Sequence, residues 1–252
     1  MIALTPLPGL PEIRSGEDVA VLIRDGILAA GQAPLRDGDV VAVAHKAISK
    51  AEGRTRRLSD VSPSPRARAL AAEHDKDPRH VQVVLDESQG VIRAANGVLI
   101  CVTHHGYVCA NAGVDASNVP GEDVVLMLPL DPDRSARRLR ARLRELTGAS
   151  PAVLISDSFG RAWRMGQCDV AIGCAGLTPL HDWRGRPDTQ GRELRATLIA
   201  TADELAAAAD AVRHKDGAQP VVLIRGAQDS VTTDDGPGAA ALIRPPEQDL
   251  FR

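Results

Sequence analysis

The chain has 252 residues, 44% of them hydrophobic and 25% charged, with a net charge of -3. That is ordinary globular composition, long enough to bury a large core as one unit or two small ones. The mild negative charge gives no basic field for nucleic acid or anionic membrane, and 2% aromatics are too few for base-stacking platforms. No apolar run approaches the roughly 20 residues of a membrane span, and "MIALTPLPGL" is no signal peptide. The four cysteines, Cys101, Cys109, Cys168 and Cys174, have no C-x-x-C spacing and read as reduced thiols of a cytoplasmic protein.

Taken in chain order, Ser15 reads as a helix cap with Asp18 at the capping-box position. Val19, Leu22, Ile23, Ile27 and Ala30 then recur at helical spacing. "RDGD" (36–39) is a turn, and "VVAVA" (40–44) is a buried strand. Ser64-Pro65 opens a second helix, and a third runs from Pro78 to about Ser88. Asn96-Gly97 between apolar runs signals a hairpin. "DVVLMLPL" is a strand. Ala136, Leu139, Leu143 and Leu146 form a helical stripe stopped by Gly148. "AVLIS" (152–156) is a strand leading into Asp157. Ala202 to Val212 is an Ala-rich helix, Pro220 to Ile224 a strand, and "TTDDGPGAA" a loose tail. Strands and helices intermix along the whole length, which predicts one α/β or α+β unit.

Several residues carry chemistry. Asp115, in "CANAGVDASN", sits in a turn of small residues that lets a hard cation approach, or else caps its own Asx-turn. Asp157 follows a buried strand, where ligands gather in α/β sheets, and Ser158 adds a hydroxyl. Arg161 and Arg164 follow at helical spacing and suit phosphate or carboxylate oxygens. The plain alternative is a helix N-cap with solvated arginines. Together, the separated aspartates and the arginines suggest a magnesium or manganese site holding nucleotide phosphates. Lys46 and Lys50, four apart in "HKAISK", suit phosphate or line a solvated helix face. No G-x-x-x-x-G-K-[ST] loop exists, so this is not a P-loop site, and "GPG" (236–238) is no dinucleotide fingerprint. Cys101, His104, His105 and Cys109 match no strong zinc template. The arginines of "RSARRLRARLRE" read as the polar face of an amphipathic helix.

These segments, in this order, resemble a known family: "LPGLPEI", "DGDVVAVAHKAISKAEGR", "HHGYVCANAGVDASNV", "SDSFGRAWRMGQCDVAIGCAGL" and "GRELRATLIATADELAAAADAV". The chain resembles the coenzyme F420-0:L-glutamate ligases, the gamma-glutamyl ligases of the deazaflavin coenzyme F420. The resemblance runs to "IRPPEQDLF" and is most specific in "CANAGVDASNV" and "GRAW". It implies the family's own mixed α/β fold, distinct from ATP-grasp ligases, as a single domain over 1–252 with a smaller inserted subdomain and no C-terminal reductase domain. It implies a cytoplasmic homodimer that adds L-glutamate to F420-0 with GTP and Mn2+ or Mg2+, with K+ as a further ion. It further implies metal ligands at Asp115, Asp157 and Ser158, and GTP contacts at Leu10, Pro11, Glu12, Ile13, His45, Lys50 and Asn118. A further GTP loop falls near Arg213 to Pro220. Arg161 and Arg164 are then expected to hold the acyl phosphate or a substrate carboxylate. Two positions depart from the family's common pattern: His45 replaces a serine or threonine, and Ser158 replaces a threonine. The rival readings are a metal-dependent nucleotide hydrolase, a non-catalytic deazaflavin binder, and a ligase of a different acid and amine.

Overall fold

The computed structural model describes residues 1–117, 121, 123–214 and 217–249. Its elements in chain order are β1 (Ala3–Pro6), α1 (Val19–Ala29), β2 (Val40–Ala44), α2 (His45–Ala51), β3 (Thr55–Arg57), α3 (Pro65–His74), α4 (Pro78–Asp86), β4 (Ser88–Ala95), β5 (Val98–Thr103), β6 (Val108–Ala110), β7 (Val124–Leu126), α5 (Pro132–Thr147), β8 (Ala152–Arg161), β9 (Arg164–Ala175), β10 (His181–Asp182), β11 (Leu198–Ile199), α6 (Thr201–Val212) and β12 (Val221–Arg225). The class is mixed α/β.

A five-stranded sheet in the order β1-β12-β2-β8-β9 forms the body. Only β2 and β8 pair in parallel, and every other neighbour is antiparallel. The apolar runs of β2, β8 and β12 are buried on both faces, as a covered sheet requires. On one face, Ile23 and Ile27 of α1 and Leu139 and Leu143 of α5 pack over Val41, Val43, Val153, Ile155 and Leu223. On the other, Ala202, Leu205, Ala206 and Ala209 of α6 cover Val40, Ala42, Leu154, Val222 and Ile224. The alanines let α6 lie close to the sheet. Between β3 and β7, which pair with each other, the chain forms a smaller lobe. There α3 and α4 pack on the β4-β5-β6 sheet around a third core that includes Val81, Val84, Leu99 and Val125.

Local chemistry explains most boundaries. Ser64 accepts from the Ala67 N–H and Pro65 opens α3. The β4–β5 turn places Asn96 and Gly97 at φ 50° and 74°, as a two-residue hairpin of matched twist demands. Gly148 closes α5 at φ 74°. One cap differs from expectation. Asp18, not Ser15, caps α1, accepting from the Ala20 and Val21 N–H groups. A larger difference lies at β8. The strand does not stop at Ser156 but continues to Arg161 and turns back as β9. Among the described residues, no helix is long and apolar enough to cross a membrane.

Candidate active site

The strand directions assign one edge of the sheet to ligands. β1 and β2 end there, β8 outruns β2 there beyond Ser156, and the antiparallel β12 begins there. Such a crevice outside strand carboxyl ends is where α/β sheets bind ligands. A cavity of about 620 Å³ opens at this edge, a size suited to a nucleotide-scale ligand. Its wall comes from four places. Leu10, Pro11, Glu12 and Ile13 follow β1, and His45, Lys46 and Lys50 belong to α2. Ser156, Asp157, Ser158 and Asp169 come from β8 and β9, and Asp210, Arg213, His214 and Gln219 from the end of α6 and the approach to β12.

The α2 helix grows directly from β2, so its first turn stands over the crevice. Ala44 is held to the start of β12 by its N–H donating to the Pro220 carbonyl at 2.7 Å. His45 is buried, its Nε2 3.3 Å from Asp157 Oδ1 and its Nδ1 3.3 Å from Ser49 Oγ. The imidazole therefore steers the Asp157 carboxylate. Lys50, one turn on, pairs with Glu12 and ties the segment after β1 across the mouth of the cavity.

Within β8, side chains alternate. Asp157 faces the His45 side, while Ser156 and Ser158 face the other. Asp169 of β9 lies directly opposite Ser158 in the ladder. Its carboxylate accepts from Ser158 Oγ at 2.6 Å, from Ser156 Oγ at 2.8 Å and from Arg213 Nη2 at 2.5 Å. Both charged side chains of that pair are buried, 4% and 7% exposed. Gln219 Oε1 is buried in the same wall and meets no hydrogen-bond donor among the described residues.

Asp115 stands beside this cavity rather than in its wall. Three successive residues, Asn111, Ala112 and Gly113, adopt positive φ (50°, 52° and 72°) and swing the chain off β6 toward β7. Gly113 is required there, because a Cβ would lie 2.6 Å from Leu128 Cγ. Asp115 then exchanges both backbone hydrogen bonds with Leu126. Its Oδ2 accepts from Lys46 Nζ at 2.5 Å and from Ser117 Oγ at 2.8 Å, and its Oδ1 accepts from the Ser117 N–H at 2.7 Å. Burial pushes this carboxyl up, yet Lys46 and the two Ser117 donors together hold it below the usual carboxylate range. Lys46 thus links Asp115 to the cavity that its own side chain lines.

The structure therefore brings together Leu10 to Ile13, His45, Lys50, Asp157 and Ser158, with Asp115 reached through Lys46. Asn118 lies outside the described residues. Arg161 and Arg164 are not on a helix, as their spacing suggested. They flank the tight turn between β8 and β9, paired with each other in register, with Trp163 at φ 58° between them. Both are exposed, and Arg161 donates to the Met165 carbonyl at 2.6 Å. Extended chain puts Arg161 about 10 Å beyond Ser158. The arginine that does line the cavity is Arg213. The sequence does not mark Asp169 or Asp210 as site residues; the strand alternation in "GQCDVAIG" is the one signal for the former.

The zinc reading fails on geometry. Cys101 and Cys109 face each other across β5 and β6, but His104 Nε2 is bound to the Asp86 carbonyl and His105 Nε2 to the Pro129 carbonyl. Burial, reinforced by Asp157, pushes the Cys109 thiol up to about 12. Among the described residues no group of three His, Cys, Asp or Glu side chains converges. "RSARRLRARLRE" is helical, but Arg140 is buried rather than solvated, bonding Asp235 and the carbonyls of Pro151, Thr232 and Thr233.

Oxygen-bearing side chains line the cavity: Asp157 and Ser158, from the two faces of β8, and Gln219, whose Oε1 has no partner among the described residues. That donor set fits a hard divalent cation rather than a soft one.

Comparison with known proteins agrees along the whole chain. It is 45% identical to a coenzyme F420:L-glutamate ligase of Methanopyrus kandleri, over 100% of this chain and 98% of that protein. It is 43% identical to the protein of that name from Methanothermobacter thermautotrophicus, over 100% and 99%. It is 45% identical to that of Haloarcula marismortui, over 97% and 93%. The family model for F420-0:gamma-glutamyl ligase matches residues 9–226, a span that contains every wall of the cavity, and the chain belongs to that family.

Proposed function

We propose that this protein is a GTP- and divalent-metal-dependent ligase that joins L-glutamate to coenzyme F420-0. The observation that carries the reading is the cavity at the strand ends, where oxygen donors (Asp157, Ser158, Gln219) stand beside cations (Lys46, Lys50, Arg213). A nucleotide triphosphate needs both. Its family relatives bear the name of this activity.

Joining a carboxylate to an amine is uphill in water, so the acid must be activated. In the proposed route the GTP gamma-phosphoryl group passes to the F420-0 carboxylate, giving an acyl phosphate and GDP. The glutamate amine then attacks the acyl carbon, and phosphate leaves. This chain's residues position and neutralise rather than form covalent bonds. Leu10 to Ile13 and Lys50 hold the nucleotide. Lys50 exchanges Glu12 for a phosphate oxygen, and Lys46 neutralises phosphate when Asp115 turns to a cation. Arg213 takes the acyl-phosphate role that Arg161 and Arg164, outside the cavity of their own subunit, do not fill. His45 keeps Asp157 oriented in place of the common serine or threonine. Asp157, Ser158 and Gln219 would hold Mn2+ or Mg2+, with Asp115 completing the set once Lys46 has moved; K+ is a further candidate. The bound cation would draw charge off the phosphates. We assign a homodimeric, cytoplasmic enzyme; the exposed Trp163 of the β8–β9 turn and Met165 at the start of β9 are apolar surface that a second copy would cover.

The test is GDP release from GTP and Mn2+, with and without F420-0 and glutamate. The ligase reading expects fast release only when both are present. Equal release without acceptors would mean a hydrolase, and binding of F420-0 with no turnover would mean a carrier.

A further inference from the structure

We infer that Asp169 is a positioning residue that sets the polarity of Ser158. The inference rests on the proposed cation site, and it concerns a residue that has no assigned role there. Antiparallel register puts Asp169 directly across from Ser158 on the same face of the ladder. A carboxylate can only accept hydrogen bonds. The Ser158 hydroxyl proton is therefore committed to Asp169 Oδ1, at 2.6 Å. Any other polar contact of Ser158 Oγ must therefore use it as an acceptor. The same carboxylate takes the Ser156 hydroxyl proton at 2.8 Å, and Ser156 Oγ in turn accepts from Arg213 Nη2 at 2.9 Å.

This arrangement decides between two chemistries. A serine free to rotate could donate to a phosphate oxygen or accept from a cation. Held by Asp169, Ser158 is an acceptor and suits a cation. Arg213 cancels the Asp169 charge locally, so the carboxylate orients Ser158 without itself drawing the cation off Asp157. The residue opposite the serine is thus as much part of the ion site as the serine is, although it need not touch the ion. Outer partners of this kind are worth roughly tenfold to a hundredfold in metal affinity.

The experiment measures Mn2+ affinity of the full chain, from free Mn2+ by electron paramagnetic resonance. The proteins are the parent, Asp157→Asn, Ser158→Ala, Asp169→Asn and the Ser158→Ala/Asp169→Asn double variant. An asparagine at 169 can present its amide N–H to Ser158 and reverse the hydroxyl. The expected result is an approximately tenfold weaker affinity for Asp169→Asn, with less than about a twofold further loss when it is added to Ser158→Ala. Unchanged affinity in folded Asp169→Asn overturns the inference while leaving the cation site standing. So does a full loss that persists in the Ser158→Ala background, which would make Asp169 a direct ligand. Mn2+ binding that is absent, or indifferent to Asp157→Asn, overturns the cation site and this inference with it. Should Asp169→Asn alone fail to fold, Asp169→Asn with Arg213→Gln removes both buried charges. Its comparison is with the parent, because the two substitutions cancel in charge whereas Arg213→Gln alone leaves Asp169 uncancelled, and it carries the same expectation and the same refutation.

Discussion

Replacing Arg213 by methionine tests whether the buried ion pair in the cavity wall is as dry as the structure shows. The guanidinium lies on Asp169 Oδ2 at 2.5 Å, with side-chain exposures of 7% and 4%. Methionine keeps the aliphatic stem and removes the charge. Asp169 would then be a buried carboxylate with hydroxyl donors from Ser156 and Ser158 but without its arginine. Removing one partner of a buried pair costs about 3–5 kcal/mol. The two hydroxyls that remain bring the expected loss to the lower end, about 3 kcal/mol. For a chain of this size each kcal/mol moves the thermal midpoint by about 2–4 °C, so the midpoint should fall by about 6–12 °C. Circular dichroism melts at neutral pH measure this. Adding Asp169→Asn should recover part of the loss, because it removes the buried charge that the arginine balanced. A fall under about 2 °C for Arg213→Met would show that the pair is wet in solution.

Other predictions follow from the same wall. Asp157→Asn should cut metal-dependent GTP turnover by about a hundredfold with the melt unchanged, since the substitution keeps shape and removes only a ligand charge; parent-like rates at saturating Mn2+ would remove Asp157 from the site. Lys50→Ala should weaken GTP binding by about tenfold to a hundredfold in calorimetry, the worth of one charged hydrogen bond; equal affinity would make Lys50 merely a tether for Glu12. Asp115 is held below its unfolded pKa by Lys46 and Ser117 despite burial. Its stabilising contribution is therefore complete above about pH 4 and lost as pH falls through the lowered folded value. The stability gap between the parent and Lys46→Met should be present at neutral pH and close below that window; denaturant melts across acid pH check it. Burial pushes the Cys109 and Cys174 thiols up to about 12 and raises Cys101. A disulfide reagent at mildly alkaline pH should thus modify only the half-buried Cys168 in the folded protein.

Much of this fold was legible because local chemistry and tertiary role agreed. The apolar run 40–44, the Asn96-Gly97 turn and the Gly148 stop each demand one conformation, and each adopts it. The outer half of the β8–β9 hairpin was not legible. "SDSFGRAWRMGQCD" lacks an apolar alternation because its outer end leaves the body of the sheet. Its strand conformation comes from the partner strand's hydrogen bonds, which a single segment does not reveal. The same fact misplaced Arg161 and Arg164: a spacing of three is a helix face in one reading and two sides of a hairpin turn in the other. Asp157 was visible because it follows an apolar strand. Asp169 was hidden because its partners, Ser158 and Arg213, are 11 and 44 residues away in sequence. Ser15 lost the capping role to Asp18, whose side chain reaches the first free N–H groups directly.

The most direct test of the catalytic account is mass spectrometry of F420-0 incubated with the purified protein, GTP, Mn2+ and L-glutamate. The account predicts a product heavier by one or more glutamyl residues, formed with GDP and lost in Asp157→Asn. Unchanged F420-0 beside consumed GTP, or glutamylation that proceeds without GTP, would contradict it.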